Sequence, residues 1–307
     1  MKKHSTQYAF FDGRIVPTQK AKISIMTKAL QYGVGVFGGI RGYYDNHTET
    51  VYLFRITDHL ARLLSSLNIL GTAIKYSSTE LEKILHQLVA ANKPRTDCYF
   101  RPFAYADESS LTPIISSNFN FAMYMIPLGD YLPTSKGLSV MISSWRRISD
   151  NAIPARGKIS GTYINSALAR QEASRLGFDE AIMLTEEGHV AEGSAENIFI
   201  IRDGVLITPS KSDDVLEGIT RNTIIQLAQD SGIPVEIRSI DRTELYIAQE
   251  VFFTGTGAQV AWIKSIDGRK IGNGKIGKIS SRLQNLFFKI VRGKDPRYNQ
   301  WLTKIHV

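Results

Sequence analysis

The sequence predicts an α+β protein, on three observations. Strand-like runs succeed one another at spacings too short for crossovers, helix-like stretches interrupt those runs without alternating with them, and a polar, turn-rich segment divides the chain. The runs AIMLT (181–185), HVAEGS (189–194), NIFII (197–201) and VLITP (205–209) are joined by turns that include Glu187-Gly188 and Asp203-Gly204. A parallel connection needs a dozen or more residues, so these neighbours are expected to pair antiparallel. Strands grouped in runs, without strict βαβ alternation, point to α+β.

The elements follow in order. YAFFDGRIVP reads as a hairpin, because apolar residues flank Asp12-Gly13, a pair that accepts positive φ. Residues 57–70 carry apolar positions at helical spacing, as do Leu81, Ile84, Leu85 and Leu88 behind the capping box Ser77–Glu80. CYFRPFAYA (98–106) and FNFAMYMIPL (119–128) read as strands. GDYLPTSKG (129–137) then marks a boundary, with a smaller domain over 1–130, a linker over 131–137 and a larger domain over 138–307. In the larger domain LSVMISSW (138–145) predicts a strand, Thr220–Gln229 and Arg242–Ala248 predict helices, EVFFT (250–254) a strand, and a long helix starts near Gly277. No internal repeat interrupts the pattern.

Composition narrows the function classes. With 307 residues, 43% hydrophobic and 21% charged, the chain has ample core for a globular protein. Cys98 stands alone, which excludes an intramolecular disulfide. MKKHSTQYAFFDG has no apolar stretch of the kind a secretory signal needs, and Phe121–Leu128 is too short to span a bilayer, so a cytoplasmic protein is expected. The net charge of +8 favours anionic partners, and after Lys264 the only acids are Asp267 and Asp295. No nucleic-acid-binding spacing accompanies that charge, so a solvated basic helix and small phosphate or carboxylate ligands are the expectation.

Several chemistries lack their signatures. The six histidines lie apart, without metal-ligand spacing. GNGKIGKI approaches a phosphate-binding loop, but Ile279 stands where a magnesium-binding hydroxyl belongs. Neither GxSxG nor a strand-linked GxGxxG occurs. What remains begins with Lys158 in PARGKISGTYINSALARQEA, set between glycines with Tyr163 five residues on. Glycines let backbone approach a ligand closely, and a poorly solvated ammonium loses its proton more readily. LEGITR (216–221) opens a helix whose first N–H groups suit an anion, with Gly218 and Thr220 at its start. FTGTGAQ (253–259) ends a strand in a glycine turn around Thr256, and AEGSAEN (191–197) sets Glu192 amid small residues. Each alone has an ordinary structural reading. Together they describe one coenzyme, pyridoxal 5′-phosphate: a lysine to bond it, an acid for its ring nitrogen, turns for its phosphate.

The ordered set KISGTYINS, EGSAENIFI, VLITP, LEGITR and FFTGTGAQ closely resembles the fold-type IV aminotransferases, in particular the branched-chain amino acid aminotransferases. FFDGRIVP, VFGGIRGYY, YLFRITDHLARL, YFRPF, SSWRR, DGRKIGNGKIGKI and VRGKDPRYNQWL extend the likeness nearly end to end. The resemblance implies a smaller α/β domain and a larger β-rich pseudo-barrel domain with helices. It implies ping-pong amino transfer from an L-branched-chain or aliphatic amino acid to 2-oxoglutarate. Lys158 would bond the coenzyme and move the proton. Glu192 would keep the pyridine nitrogen protonated, and Tyr163 would bond the phenolic oxygen. Arg55, Ile219, Thr220 and Thr256 would take the phosphate, with Gly218 beside them, and Leu216 would pack on the ring. Phe37, Arg41, Tyr99, Arg101 and Tyr131 would surround the substrate, Arg101 serving the distal carboxylate of glutamate. Gly257 and Ala258 would receive the α-carboxylate. Tyr32 and Leu111 would reach the pocket of a partner subunit, which implies a homodimer or larger homo-oligomer. Gly38, Leu128 and Gly257-Ala258-Gln259 depart from the family's usual residues, all near the substrate. D-amino acid or (R)-amine transamination and aminodeoxychorismate lysis are the alternatives on the same scaffold; a non-catalytic anion-binding protein is the alternative of another class.

Overall fold

The structure is a computed structural model and describes residues 7–307. The reading of the amino-terminal MKKHST lies outside the described residues. The chain forms two compact units. One holds the residues up to Gly129 together with Gly157–Gly161 and Lys289–Val307; the other holds Asp130–Arg156 and Thr162–Phe288.

The first unit opens with a hairpin of β1 (Tyr8–Phe11) and β2 (Arg14–Pro17), turned at Asp12 and Gly13 with φ of 49° and 78°. Both central residues lie in the left-handed region that matches the strand twist. Helix α1 (Lys28–Tyr32) and strands β3 (Gly35–Phe37), β4 (Ile40–Asp45) and β5 (Thr50–Phe54) follow. Helix α2 (Ile56–Ile69) buries Leu60, Leu63 and Leu67, and α3 (Ser78–Asn92) buries Leu81, Leu85 and Leu88. Each buried leucine contributes about 1.5–3 kcal/mol. The capping box at Ser77 is complete in both directions. Strands β6 (Cys98–Tyr105) and β7 (Asn120–Pro127) are paired antiparallel along their whole length. Strands β3 and β4 share β6 as partner, one beyond the other, across Gly38-Gly39.

In the second unit β8 (Leu138–Ile142) precedes α4 (Tyr163–Arg175). Then come β9 (Glu180–Leu184), β10 (Val190–Gly193), β11 (Asn197–Arg202), β12 (Val205–Thr208), α5 (Ile219–Asp230), β13 (Val235–Ile237) and α6 (Glu244–Ile247). The unit continues through β14 (Glu250–Gly255), β15 (Gln259–Ile266) and β16 (Arg269–Lys270). Helix α7 (Lys278–Val291) comes next, and β17 (Leu302–His306) joins the first unit's sheet. That sheet runs β17-β5-β4-β6-β7-β1-β2, with β3 on β6. The second runs β10-β9-β8-β15-β14-β11-β12-β13, with β16 on β15.

The antiparallel expectation holds for β9 with β10 and for β11 with β12. It does not hold for β10 with β11. The chain bends at Ser194–Glu196, where the Gly193 N–H donates to the Glu196 carbonyl at 2.6 Å, and the two strands enter the sheet far apart. Three pairings in this sheet are parallel, β8 with β9, β8 with β15 and β12 with β13. Their crossovers pass through helices such as α4 and α5, so α+β order along the chain still yields mixed pairing. Ile198 and Ile200 pack into the main cluster with Ile182, Phe253 and Ile263, while Phe199 stacks on Phe252 at 5.1 Å. The strand predicted over 138–145 stops at Ile142, and the helix predicted over 242–248 shortens to Glu244–Ile247.

Near GNGKIGKI the Glu250 carboxylate accepts the N–H groups of Ile279 and Ser280 at 3.1 and 2.7 Å. The start of α7 is thus capped by this chain's own anion, and a Cβ at Gly277 would collide with that side chain. No helix among the described residues is long and apolar enough to cross a membrane.

Candidate active site

Lys158 is held through its peptide in the first unit. Its N–H donates to Ser66 Oγ at 3.1 Å and its carbonyl accepts from the Phe37 N–H at 3.0 Å. Ile159 bridges Val36, and the Gly161 N–H donates to the Gly33 carbonyl at 3.1 Å. A Cβ at Gly33, which has φ of 66°, would stand 2.9 Å from the Gly161 Cα, so only glycine permits this approach. The Lys158 Nζ lies 5.0 Å from the Phe37 ring centroid.

Arg55 caps the start of α2 in a left-handed conformation, φ 51° and ψ 46°. Its Nε pairs with Asp58 at 2.9 Å and its guanidinium lies 5.3 Å from the Trp301 ring. One turn on, His59 is buried, and its Nδ1 has no hydrogen-bond partner among the described residues. Burial, then the charges of Arg62, Lys158 and Arg55, hold its pKa well below the usual 6.5. That is a neutral imidazole among cations.

Arg101 lies over Phe37 at 4.5 Å and over Tyr99 at 5.2 Å, with its Nη2 donating to the Tyr99 hydroxyl at 3.4 Å. Phe37, Tyr99 and Arg101 are therefore one cluster, and a Cβ at Gly39 would strike the Tyr99 hydroxyl. A Cβ at Gly38 would stand 2.7 Å from Pro102 Cγ. Arg41 is buried, and its guanidinium donates to the carbonyls of Leu128 and Gly129 at 3.3 and 2.8 Å. It fastens the chain that leaves β7. The Tyr32 hydroxyl donates to the Leu111 carbonyl at 3.0 Å, so these two residues stand together at the surface.

The second unit holds Glu192, buried at the end of β10. One carboxylate oxygen pairs with the buried Arg147 guanidinium at 3.0 Å. The other accepts from Asn197 Nδ2 at 3.0 Å and from the Leu216 N–H at 3.2 Å. Asn197 also donates to the Leu216 carbonyl at 2.8 Å, so one amide fixes the acid and the LEGITR turn together. A Cβ at Gly218 would strike Asn197, which explains the glycine there. Ile219 and Thr220 begin α5, and its N-cap residue is Gly218, which has no side chain to cap it. Arg221, wholly buried, donates to the Pro209 carbonyl at 2.8 Å and holds this helix start against the end of β12.

Tyr163 begins α4, half-buried. Thr256, Gly257 and Ala258 form the turn from β14 to β15, and a Cβ at Gly257 would lie 3.5 Å from the Tyr131 ring. Gln259 takes a left-handed φ of 60° and donates to Asp130 at 3.1 Å, steadying the chain beside Tyr131.

Arg147, Asn197, Ser66 and His59 are the residues that sequence reasoning passed over. Two more acids lie near Glu192. Glu196 is buried without an ion pair among the described residues, and burial, then the Glu180 charge, raises its pKa well above the usual 4.5. Burial raises Glu180 too, against its ion pair with Arg170 at 3.1 Å.

The model of the amino-transferase class IV family matches residues 35–266. A probable branched-chain-amino-acid aminotransferase of Aquifex aeolicus is 48% identical over all of this chain and 99% of its own length. The crystal structure of a branched-chain aminotransferase from the thermophilic archaeon Thermoproteus uzoniensis, with norvaline, shares 42% identity at a TM-score of 0.93, covering 97% of this chain and 99% of that one. That of the branched-chain amino acid aminotransferase from Thermobaculum terrenum, in its PLP-bound holo form, shares 36% at 0.92, covering 98% and 99%. A Glu192 carboxylate fixed by three donors and a Lys158 peptide held from two elements thus stand in a chain that belongs to the class IV aminotransferases.

Proposed function

We propose that this chain is a pyridoxal 5′-phosphate-dependent aminotransferase that moves the amino group of L-branched-chain amino acids to 2-oxoglutarate in two half-reactions. The observation that carries the reading is the Glu192 carboxylate, buried yet ion-paired with Arg147 and bonded by Asn197 and the Leu216 N–H. A carboxylate so held stays anionic and offers a fixed acceptor to a protonated ring nitrogen.

The residues fit the coenzyme by their chemistry. The cations around His59 and the start of α5, opened by Gly218, suit a phosphate. Bound, the coenzyme supplies an aldehyde and an electron-withdrawing ring. Lys158 is the amine that bonds it and afterwards carries the proton from the substrate's α-carbon. Tyr163 would donate to the phenolic oxygen. Arg55, Ile219, Thr220 and Thr256 would hold the phosphate, with Gly218 opening the helix start to it, and Leu216 would cover the ring. Phe37 and Tyr99 bound the side-chain space, and Arg41 supports that wall through the Leu128 and Gly129 carbonyls. Arg101, whose Nε has no partner among the described residues, takes the distal carboxylate of the acceptor. Gly257 and Ala258 bind the α-carboxylate beside Tyr131. The relatives named above, branched-chain enzymes throughout, favour this substrate class over D-amino acids, (R)-amines and aminodeoxychorismate.

The proposed assembly is a homodimer in a cytoplasmic setting. Ile25, Leu30, Leu111 and Ile114 are 80%, 62%, 77% and 67% exposed, an apolar surface beside Tyr32 of the sort a second copy covers. The test is separation of the half-reactions. L-Leucine alone should convert the visible absorbance of the coenzyme-loaded protein, 2-oxoglutarate should restore it, and Lys158→Ala should do neither. A protein that responds to D-alanine or an (R)-amine and not to L-leucine would reject the substrate class.

A further inference from the structure

Resting on the reading of Lys158 as the reactive amine, we propose that Ser66 is its positioning residue, acting through the Lys158 peptide. Helix α2 carries Arg55 at its cap and then His59, Arg62 and Ser66, a spacing that sets them along one face. Two of these four polar residues, His59 and Ser66, are buried, at 2% and 0% exposure. A buried serine inside a helix lowers helix stability relative to alanine and must have its hydroxyl bonded.

The Ser66 hydroxyl donates to the Arg62 carbonyl at 2.8 Å, the preceding turn of its own helix. That bond uses its single proton, so toward Lys158 the oxygen can act only as an acceptor, which is how it meets the Lys158 N–H at 3.1 Å. The far side of the same residue is held by the Phe37 N–H, and Ile159 by Val36. The Lys158 peptide is therefore fixed from α2 on one side and from β3 on the other, within one unit. A flexible four-carbon stem presents its amine over a narrower arc when its own backbone cannot rotate, and reaction rates fall steeply with misplacement of a reacting group. An alanine at 66 would fill nearly the same space and favour the helix, while leaving the Lys158 N–H without its acceptor.

The test compares Ser66→Ala, Ser66→Cys and Ser66→Thr in the full, coenzyme-loaded chain. Ser66→Ala and Ser66→Cys should keep the visible band. The pH midpoint of that band should move by about half a unit or more, because the amine's surroundings change. The leucine half-reaction should slow by about five- to tenfold at saturation, the worth of one hydrogen bond, with half-saturation little altered. Ser66→Thr, which retains the hydroxyl, should restore both readouts. Cysteine nearly conserves the volume, so it carries the test if the alanine variant does not fold. An unmoved midpoint and rate with only a lower melting temperature would make Ser66 a packing residue and overturn the proposal. So would a folded threonine variant that fails as alanine does. An unmodified chain without any visible band would instead reject the reading of Lys158, and the proposal with it.

Discussion

Glu192 and Arg147 are both nearly inaccessible, with side chains 7% and 8% exposed at 3.0 Å, and a buried pair of this kind depends on both members. Removing the cation leaves an uncompensated charge, so Arg147→Met should cost about 3–5 kcal/mol in urea unfolding. It should also weaken coenzyme retention. His59 makes a second prediction. It is buried neutral, with its folded pKa below the usual 6.5, so the unfolded chain binds the extra proton first. Its contribution is fully present above about pH 6.5 and declines as pH falls, by about 1.4 kcal/mol per unit, until the folded pKa is reached. A His59→Gln variant should show a flatter stability profile between pH 6.5 and 5 than the unmodified chain. Lys158 and Glu192 stood out as candidates because glycines and small residues around a lysine or an acid are local signals. Arg147 was not, since nothing in SSWRR states which carboxylate its second arginine will meet. Ser66 was hidden for a related reason: two serines in a leucine-rich helix look like its solvent face.

Turns carried their own signatures. Asp12-Gly13, Asp203-Gly204 and Asp267-Gly268 all take positive φ at both positions, and each joins two strands as its composition predicts. Helices α2, α3 and α5 were legible from apolar spacing, and α3 also from its capping box; the cap of α5 falls at Gly218 and not at Thr220, which lies inside the helix. Strand β15 was not, because it begins at Gln259 in a left-handed conformation straight after a glycine turn. Strand β17 escaped notice too, as LTKIH is short, half-polar and follows an irregular turn. The basic stretch after Lys264 includes α7, a capped helix with Lys278, Arg282 and Lys289 exposed and Leu283, Phe287 and Ile290 buried. Glu250→Ala should release two N–H groups at its start and lower stability by about 1–2 kcal/mol, measured by thermal or urea unfolding. Restoring the acceptor with Glu250→Gln should recover part of that loss.

Sheet order was the least legible feature, because parallel joins depend on where crossover helices return the chain. Nothing local tells that β8 lies between β9 and β15, or that residues 157–161 and the last strand pack with the first unit. Chain order also conceals surfaces. Ile25, Met26, Leu30, Leu111 and Ile114 come from two separate segments, tied by the buried Lys28, which pairs with Glu108 at 2.7 Å and donates to the Ile114 carbonyl at 2.8 Å. Leu30→Glu with Ile25→Glu should yield monomers by light scattering while the far-ultraviolet spectrum stays unchanged; a dimer that persists would place the contact elsewhere. The claim beneath all of this is that Lys158 is the amine that bonds the coenzyme. Borohydride reduction of the loaded protein, followed by peptide mass mapping, tests it most directly. A phosphopyridoxyl mark on the peptide containing Lys158, absent in Lys158→Ala, is the expected result; a mark on any other lysine, or none, would contradict the account.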